Sequence, residues 1–437
     1  MKKSNYNYII KKDGNSYCFN ALTRHFFNIP EKGEEILKAA LESPDECKDK
    51  LPGFYDRLLQ GGFIVENEIN ELDIIRKKHQ EACNSKKYSL TILPTIDCNF
   101  NCWYCYEKHV PYVMSDETIN RIKKYTEKLL QCEEIEHFSI EWFGGEPFLA
   151  FENVIKPITL HAKKICEKKN IPFSTGATSN GFLITPNVAD ELASLNLQHI
   201  QVTLDGEKSL HDKTRVAPEG SSFETILRNM NYLCQINEAV QIILRINYDE
   251  KNLQPELILN QVKELIDEKY HSQFSFLLRK VWQVEKVDNG KVKVERFIEL
   301  IKDTQFKYCY ESDLILDFTP CYATRKNMKL ITPYGSIGKC TTKNDFEKCA
   351  LGLLTEEGNI KWKNDLPFDE IYATPQFENK NCLNCKQLPL CMGACPQNID
   401  IEGNIIQSGQ CKGKVNDLAM ADAIANYCLT IDHAVVK

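Results

Sequence analysis

Hydrophobic and polar positions alternate with two different periods near the start of the chain. The segment NYNYIIKKDGNSYCFN alternates at every second residue and predicts a hairpin that turns at the DG pair. Apolar residues then recur at helical spacing in EKGEEILKAALE and DKLPGFYDRLLQGGFIV, and the GG pair is predicted to stop the second helix before a short strand. The segment NELDIIRKKHQEACNSKK predicts a helical linker. Residues 1–85 therefore outline a small winged-helix-like domain.

From residue 88 onward, apolar strands alternate regularly with amphipathic helices. The predicted strands are YSLTILPT, HFSIEWFGG, FSTGATSNG, HIQVTLDG, QIILRINYD and QFSFLLRKV. Helical patterns of ordinary length separate them, which predicts right-handed βαβ units and a parallel sheet over residues 86–300. The fold class is α/β. Six such units fit a doubly wound sheet or a partial barrel, and in both the chemistry belongs at the carboxyl ends of the strands.

Four polar or glycine-rich motifs follow four successive predicted strands. They are CNFNCWYC, FGGEP, TSNG and TLDG, in that order. Each motif alone is ordinary turn chemistry. Because the carboxyl ends of parallel strands meet at one edge, the four together predict a site there.

Composition and charge exclude several classes of function. The hydrophobic fraction of 43% and the charged fraction of 26% are typical of a globular protein. A net charge of −7 gives no electrostatic reason to expect a nucleic-acid partner. The first lysines are followed by no apolar signal-peptide core, and no stretch approaches a membrane span. We therefore expect a cytoplasmic protein with no membrane partner.

The regular alternation stops after about residue 300, where a cysteine-rich region begins. The 19 cysteines of a long intracellular chain favour metal ligation or catalysis over disulfides. Residues 321–411 are rich in Gly, Pro, Asn and Cys and offer little apolar surface for a core. We therefore expect residues 301–437 to form a third domain that metal binding orders.

Cys98, Cys102 and Cys105 follow the spacing C-x3-C-x2-C. Three thiolates on one loop could hold zinc with a fourth ligand, for which His109 is the local candidate. They could equally hold three irons of a [4Fe–4S] cluster and leave the fourth iron open to a small molecule.

The pair of motifs CNFNCWYCYE and GGEP resembles the radical S-adenosylmethionine (SAM) enzymes, over about residues 88–290. The resemblance implies a partial (βα)6 TIM-type barrel and a cluster whose open iron binds the amino and carboxylate groups of SAM. It also implies reductive cleavage of SAM to a 5′-deoxyadenosyl radical. Carried over position by position, the resemblance implies that the following residues contact SAM or complete its motif: Tyr104, Gly144, Gly145, Glu146, Thr203 and Arg215. Tyr104 would act through its backbone, and Arg215 would pair with the SAM carboxylate.

The later cysteines resemble the SPASM domain of radical SAM enzymes that modify peptides, which carries two auxiliary [4Fe–4S] clusters. By that resemblance one cluster is held by Cys382, Cys385, Cys391 and Cys411. The other is held by Cys321, Cys340 and Cys395. Its fourth ligand would be Cys309, the favoured candidate, or Cys349, or else an open iron that receives a substrate atom.

The resemblance predicts a peptide maturase whose 1–85 domain, similar to the PqqD protein, captures the leader of a ribosomally made precursor peptide by strand addition. A flavodoxin or ferredoxin would be the reductant. A related alternative is an anaerobic sulfatase maturase forming formylglycine. There we expect an aspartate directly after Cys340, but Thr341 holds that position and the nearest acid is Asp345. An alternative of another class is a zinc-binding scaffold without enzymatic activity.

Overall fold

The structure is a computed structural model, and it falls into two compact units. It describes residues 1–12, 14–132, 134–281, 283–284, 290–309, 321–342, 347–348, 350–363, 377, 379–391, 420–421, 423–425 and 427–428. Unit 1 comprises residues 1–85, 310–326 and 367–437, and unit 2 comprises residues 86–309 and 327–366. The three domains expected from the sequence, at residues 1–85, 86–300 and 301–437, stay a prediction.

Unit 1 begins with a small antiparallel sheet and a set of short helices. Its strands are β1 (Lys2–Lys3), β2 (Asn7–Lys12), β3 (Asn15–Asn20), β4 (Phe26–Asn28) and β5 (Ile64–Val65). Its helices are α1 (Gly33–Glu42), α2 (Pro44–Lys50), α3 (Pro52–Gln60) and α4 (Glu71–Cys83). The sheet order is β2-β3-β4, and β1 pairs with β5. The pairing of Lys12 with Asn15 confirms the predicted hairpin, whereas β4 and α2 were not predicted.

Unit 2 is built around parallel strands. These are β6 (Lys87–Ile92), β7 (His137–Trp142), β8 (Phe173–Ser179), β9 (Leu197–Leu204), β10 (Gln241–Tyr248), β11 (Phe274–Lys280) and β12 (Lys307–Tyr308). The helices are α5 (Asp116–Cys132), α6 (Lys156–Lys169), α7 (Pro186–Ser194), α8 (Lys208–Thr214), α9 (Ser222–Ile236), α10 (Pro255–Leu265) and α11 (Gly290–Lys302). All six predicted strands are confirmed.

The strands from β6 to β12 are neighbours in strict sequence order, and each pair is parallel. A doubly wound sheet would reverse its order at a switch point, so this order excludes that alternative. Consecutive loops therefore leave the sheet side by side at its carboxyl edge. That arrangement brings the four motifs together.

The two faces of these strands differ in polarity because side chains alternate along each strand. One face packs against the helices and supplies the main core, with Ile92, Ile140, Trp142, Val202, Leu244 and Phe276 among its buried residues. The intervening positions are mostly polar, as at Glu141, Thr203 and Arg245. The polar face therefore supplies side chains to the site.

A second run of strands extends the sheet beyond β6. These are β13 (Met328–Ile331), β14 (Ser336–Gly338), β15 (Gly352–Leu354) and β16 (Ile360–Trp362). Strand β13 pairs with β6 in parallel and the others follow antiparallel. Ile331, Ile337 and Leu354 are buried in the main core. As expected, the described part of this segment has no core of its own, but strands β13 to β16 bury apolar residues in the main core of unit 2. Metal binding is therefore not the only source of order for these strands.

Two helices of one turn, α12 (Lys380–Leu383) and α13 (Leu388–Cys391), lie in unit 1. Leu388 and Leu390 are buried there with Tyr6, Phe19 and Ile75. Across the described part of the chain, no helix combines the length and apolar character needed to span a membrane.

Candidate active site

The cysteine loop follows β6 and opens on a cavity of about 180 Å³ at the carboxyl edge of the sheet. Cys98, Cys102 and Cys105 all line this cavity. Thr95 fixes the loop, since its hydroxyl donates to the Tyr112 carbonyl oxygen (2.7 Å) and accepts from the Asp97 amide (3.0 Å). Within the described residues, no three His, Cys, Asp or Glu side chains already surround a common metal position.

Burial dominates the electrostatics of the three thiols. It raises the pKa of Cys98 to about 12 and also raises the pKa values of Cys102 and Cys105, while the charge of Arg215 acts in the opposite direction on all three. The thiolate, not the thiol, is the metal ligand. These groups therefore need a cationic partner to deprotonate near neutral pH.

His109 lies beside the third cysteine, with its Nε2 3.4 Å from the Cys105 Sγ, and it lines the same cavity. The geometry thus keeps a Cys3His zinc site available as an alternative.

The GGEP loop after β7 packs directly on the cysteine loop. A Cβ on Gly145 would lie 2.1 Å from the Asp97 carbonyl oxygen, and one on Gly144 would lie 2.3 Å from the Thr95 carbonyl oxygen. The Glu146 amide donates to the same Asp97 oxygen at 2.8 Å. Both glycines are therefore required for two backbones to approach closely, and both also line the cavity.

Glu146 was predicted among the cofactor contacts, but it does not line the cavity. Its carboxylate is fully buried and accepts hydrogen bonds from the Phe148 amide (3.0 Å), the Ser179 hydroxyl (2.9 Å) and the Asn180 amide (2.7 Å). Burial raises the pKa of Glu146 to about 7, and these donors oppose the shift. The side chain joins the exits of β7 and β8.

Asn180, in the TSNG motif, extends this connection to the cysteine loop. Its side-chain amide donates to the side-chain carbonyl oxygen of Asn99 at 2.7 Å and lies 4.0 Å from the Cys98 Sγ. The loops after β6, β7 and β8 are therefore tied to one another by hydrogen bonds. The sequence located TSNG at this edge but did not identify this role.

Arg215 and Asp205 form a buried ion pair at 2.8 Å beside the cysteine loop. The Tyr104 hydroxyl donates to Asp205 and accepts from Arg215 (2.8 Å) and from the Asn247 side chain (3.2 Å). Burial acts to lower the pKa of Arg215, but Asp205 and Tyr104 hold it well above its usual value. Arg215 was predicted to meet a ligand carboxylate, whereas here its Nε is engaged by an internal one.

Tyr104 thus reaches the site through its phenol as well as its backbone. Its carbonyl oxygen, the kind of group predicted to contact SAM, accepts a hydrogen bond from the Gln283 side chain at 2.7 Å. The cavity is small beside the ~300–1,000 Å³ typical of ligand pockets. A ligand as large as SAM would therefore require side chains such as Tyr104 to move.

Thr203 lies in the cavity wall, as predicted. Residues that the sequence did not single out share that wall, among them Glu107, Arg245 and Asn247. The Oε1 atom of Glu107 is buried and has no hydrogen-bond partner among the described residues, and burial raises the pKa of this carboxyl to about 7. Arg245 and Asn247 occupy alternate positions of a mostly apolar strand. This alternation is the sequence feature that could have identified them as residues of the site.

The cysteines predicted to hold auxiliary clusters are only partly described. Cys321, Cys382, Cys385 and Cys391 belong to unit 1, whereas Cys309 and Cys340 belong to unit 2. The Cys385 amide donates to the Cys382 carbonyl oxygen at 3.0 Å, so these two share one turn. Cys349, Cys395 and Cys411, like Asp345, lie outside the described residues. The ligand sets of both auxiliary clusters stay predictions.

Comparisons with known proteins agree with this geometry. Residues 92–244 match the family model described as the Radical SAM superfamily. A protein of Synechocystis sp. described as Uncharacterized protein sll1766 is 26% identical over 184 residues, which are 39% of this chain and 44% of that protein. The matched part of this chain thus spans less than half the length of that curated relative.

Solved structures of anSMEcpe share the fold, and a structure of SuiB was also matched. AnSMEcpe with bound AdoMet and Cp18Cys peptide is 19% identical, with 80% of this chain and 98% of that chain covered and a TM-score of 0.54. A histidine-tagged form of anSMEcpe with bound AdoMet is 18% identical, with 79% and 94% covered and a TM-score of 0.56. Streptococcus suis SuiB bound to precursor peptide SuiA is 16% identical, with 96% and 99% covered and a TM-score of 0.48.

Proposed function

We propose that this chain cleaves SAM reductively and uses the resulting radical to modify a ribosomally synthesised peptide. The match of residues 92–244 to the Radical SAM superfamily model supports this proposal. One observation carries the proposal. The three thiols of the C-x3-C-x2-C loop open on a single cavity together with Gly145, Thr203 and other residues from successive strand exits.

The residues present fit a [4Fe–4S] cluster. Cys98, Cys102 and Cys105 are soft donors on one loop, and a three-thiolate set leaves one iron open to a ligand. When bound, the cluster would supply the electron that cleaves SAM to methionine and a 5′-deoxyadenosyl radical. The chain itself fixes the thiols through Thr95 and Asn180. Its strand exits provide the walls that orient SAM and limit the access of water.

An apolar groove in the N-terminal domain supports a peptide substrate. The groove has a volume of about 660 Å³ and runs between β4, α1 and α3, where Phe26, Phe27, Leu37, Phe54 and Phe63 supply its lining. Ile36 and Leu51 also line it and are 53% and 45% exposed, an unusual placement for large apolar residues.

Strand β4 is the edge of its sheet, so one side of its backbone is unpaired among the described residues. The Ile29 amide donates to the Ser16 carbonyl oxygen at 2.7 Å, which turns Ile29 toward β3. Because hydrogen-bonding direction alternates along an antiparallel strand, the amide of Asn28 points outward. An extended leader could therefore add a strand here and place apolar side chains in the groove.

Two variants, each with a control variant, test leader capture, measured as the affinity of the full chain for a labelled precursor peptide. Asn28→Pro removes the outward amide and should weaken binding at least tenfold, whereas Asn28→Ala keeps the amide and should bind normally. Ile36→Asp places a charge in the groove and should also weaken binding. Leu160→Asp, at a similarly exposed apolar position of α6, is its control. Equal affinity of Asn28→Pro and Asn28→Ala would exclude strand addition.

Two further parts of the proposal concern electron transfer. The auxiliary clusters would be held by the predicted cysteine sets and would take up the electron left on the peptide after hydrogen abstraction. A flavodoxin or ferredoxin would supply the electron for SAM cleavage. A precursor peptide would be sought among short reading frames beside the gene, and mass spectrometry after coexpression would identify the bond formed.

Anaerobic reconstitution separates the enzyme from the zinc scaffold. The proposal predicts uptake of iron and sulfide and formation of 5′-deoxyadenosine from SAM and a reductant. Uptake of zinc alone, with no 5′-deoxyadenosine, would favour a Cys3His site that uses His109.

A formylglycine-forming sulfatase maturase is the second candidate, favoured by the fold match to anSMEcpe. The Tyr106 hydroxyl donates to the Thr341 carbonyl oxygen at 3.3 Å, so position 341 lies beside the cysteine loop. That position carries a hydroxyl and not the carboxylate that would accept a proton. We therefore expect no formylglycine from a cysteine-containing sulfatase peptide, and its formation would establish this second function.

A further inference from the structure

Arg245 is a cavity residue that the proposed SAM chemistry does not use. It lies on β10, in register with Thr203 of β9, and its side chain lines the same cavity as the three thiols. Its Nε donates to the Asn247 side-chain oxygen at 2.8 Å. This hydrogen bond fixes the plane of the guanidinium and leaves its two terminal nitrogens for another partner.

No carboxylate balances the charge of Arg245 within the described residues. The carboxylate of Asp205, in the same region, is already held by Arg215 at 2.8 Å and by Tyr104. Burial lowers the pKa of Arg245, and the positive charges of Arg279 and Arg215 lower it further. A partly desolvated cation among other cations is unfavourable unless an anion enters with the ligand.

Arg245 and Arg215 have different surroundings within the cavity. The charge of Arg215 lowers the pKa values of all three cysteine thiols. The charged and polar groups that act most on Arg245 are instead Arg279, Tyr104 and Tyr106. Arg245 is linked to Arg215 through the Asn247 side chain and the Tyr104 hydroxyl, so an anion on Arg245 would be held apart from the Asp205–Arg215 ion pair.

We propose that Arg245 binds a carboxylate of the peptide substrate, from an Asp or Glu side chain or the peptide C-terminus. A planar guanidinium can hold such a group through two parallel hydrogen bonds. The modified peptide therefore carries an acidic group close to the reacting residue. This assignment rests on the proposed function, and it concerns binding only, so it can fail while SAM cleavage stands.

Two probes that differ only in charge test the assignment on the reconstituted full chain: N-acetylglutamate amide and N-acetylglutamine amide. The wild type should prefer the acid at least tenfold, equivalent to about 1.4 kcal/mol. Arg245→Gln should abolish the preference and Arg245→Lys should keep part of it. Arg228→Gln, which removes an exposed arginine paired with Glu224, should leave it unchanged.

A second comparison identifies the source of the carboxylate. The affinities for SAM and for decarboxylated SAM are measured in the wild type and in Arg245→Gln. If Arg245→Gln leaves the ratio of the two affinities unchanged, the result supports a peptide carboxylate. If Arg245→Gln abolishes the preference for SAM over decarboxylated SAM, Arg245 binds the carboxylate of SAM and the proposal is overturned. The proposal is also overturned if the wild type does not prefer the acid, or if Arg245→Gln or Arg245→Lys keeps the full preference. If Arg245→Gln does not fold, Arg245→Lys alone decides. Because lysine cannot make the bidentate contact, this variant should prefer the acid less strongly than the wild type does.

Discussion

Adding one methyl group at Gly145 tests how the GGEP loop supports the cysteine loop. The added Cβ of Gly145→Ala would lie 2.1 Å from the Asp97 carbonyl oxygen and 2.9 Å from that of Ile96. Real Cβ contacts are essentially never shorter than 3.0 Å, so the two backbones must separate by about 0.9 Å. That movement would strain the 2.8 Å hydrogen bond from the Glu146 amide to Asp97.

We expect Gly145→Ala to lower the stability of the protein, because the added methyl group overpacks the loop. The atoms that it would contact belong to the backbone, which cannot move aside as a flexible side chain could. Such insertions typically cost about 1–3 kcal/mol. Gly145 has no positive φ that would add conformational strain, so the effect is steric. Displacement of the cysteine loop should also lower the affinity for SAM.

The measurement is the urea midpoint of the reconstituted protein, with the affinity for SAM measured in parallel. Gly53→Ala is the matched control, because Gly53 lies in α3 with no atom within 4 Å of the added methyl group. It should leave stability unchanged or raise it by up to about 1 kcal/mol, since Ala is the better helix former. Wild-type stability of Gly145→Ala would refute the account of loop packing.

Three further predictions concern charge pairs in unit 2. Asp205→Asn leaves Arg215 buried without its ion-pair partner and should lower the urea midpoint by the equivalent of about 3–5 kcal/mol; an unchanged midpoint would contradict the pairing. The hydrogen bond that the His199 imidazole donates to the Glu141 carboxylate raises the pKa of His199, while burial opposes the shift. The stabilisation from this pair is therefore present below about pH 6.5 and is lost as pH rises through the raised pKa of His199. Glu141→Gln should therefore flatten the fall of the urea midpoint between about pH 6 and pH 8, and an unaltered profile would exclude this pair. Gly176→Ala should separate the same pair, because a Cβ would lie 2.3 Å from both side chains, and an unchanged pH profile would show that the pair adapts.

The six parallel strands from β6 to β11 could be predicted because each combines an apolar face with a clear glycine or polar break. All six appear within a few residues of their predicted bounds. Strands β14, β15 and β16 have three residues each, which is too short for a period to be recognised. The short helix α8 was missed for the same reason. Their stability comes from long-range pairing and from the shared core, neither of which is visible locally.

In the candidate site, too, some features could be predicted from the sequence and others could not. Cysteine spacing is a local property, and the structure brings Cys98, Cys102 and Cys105 to one cavity as expected. The hydrogen bond between Tyr104 and Asp205 joins residues that are 101 positions apart, so no local sequence pattern predicts it. Glu146 shows the limit of carrying roles over from a motif. Its carboxylate connects two strand exits and does not face the cavity.

The yield of 5′-deoxyadenosine from SAM and a reductant tests the central claim most directly. The comparison is between the wild type, Cys102→Ala in the cavity, and Cys166→Ala, whose thiol is buried in the main core. The account predicts that the wild type and Cys166→Ala both form 5′-deoxyadenosine and that Cys102→Ala forms none. Equal yields from Cys102→Ala and the wild type, or no product from any of the three, would contradict it.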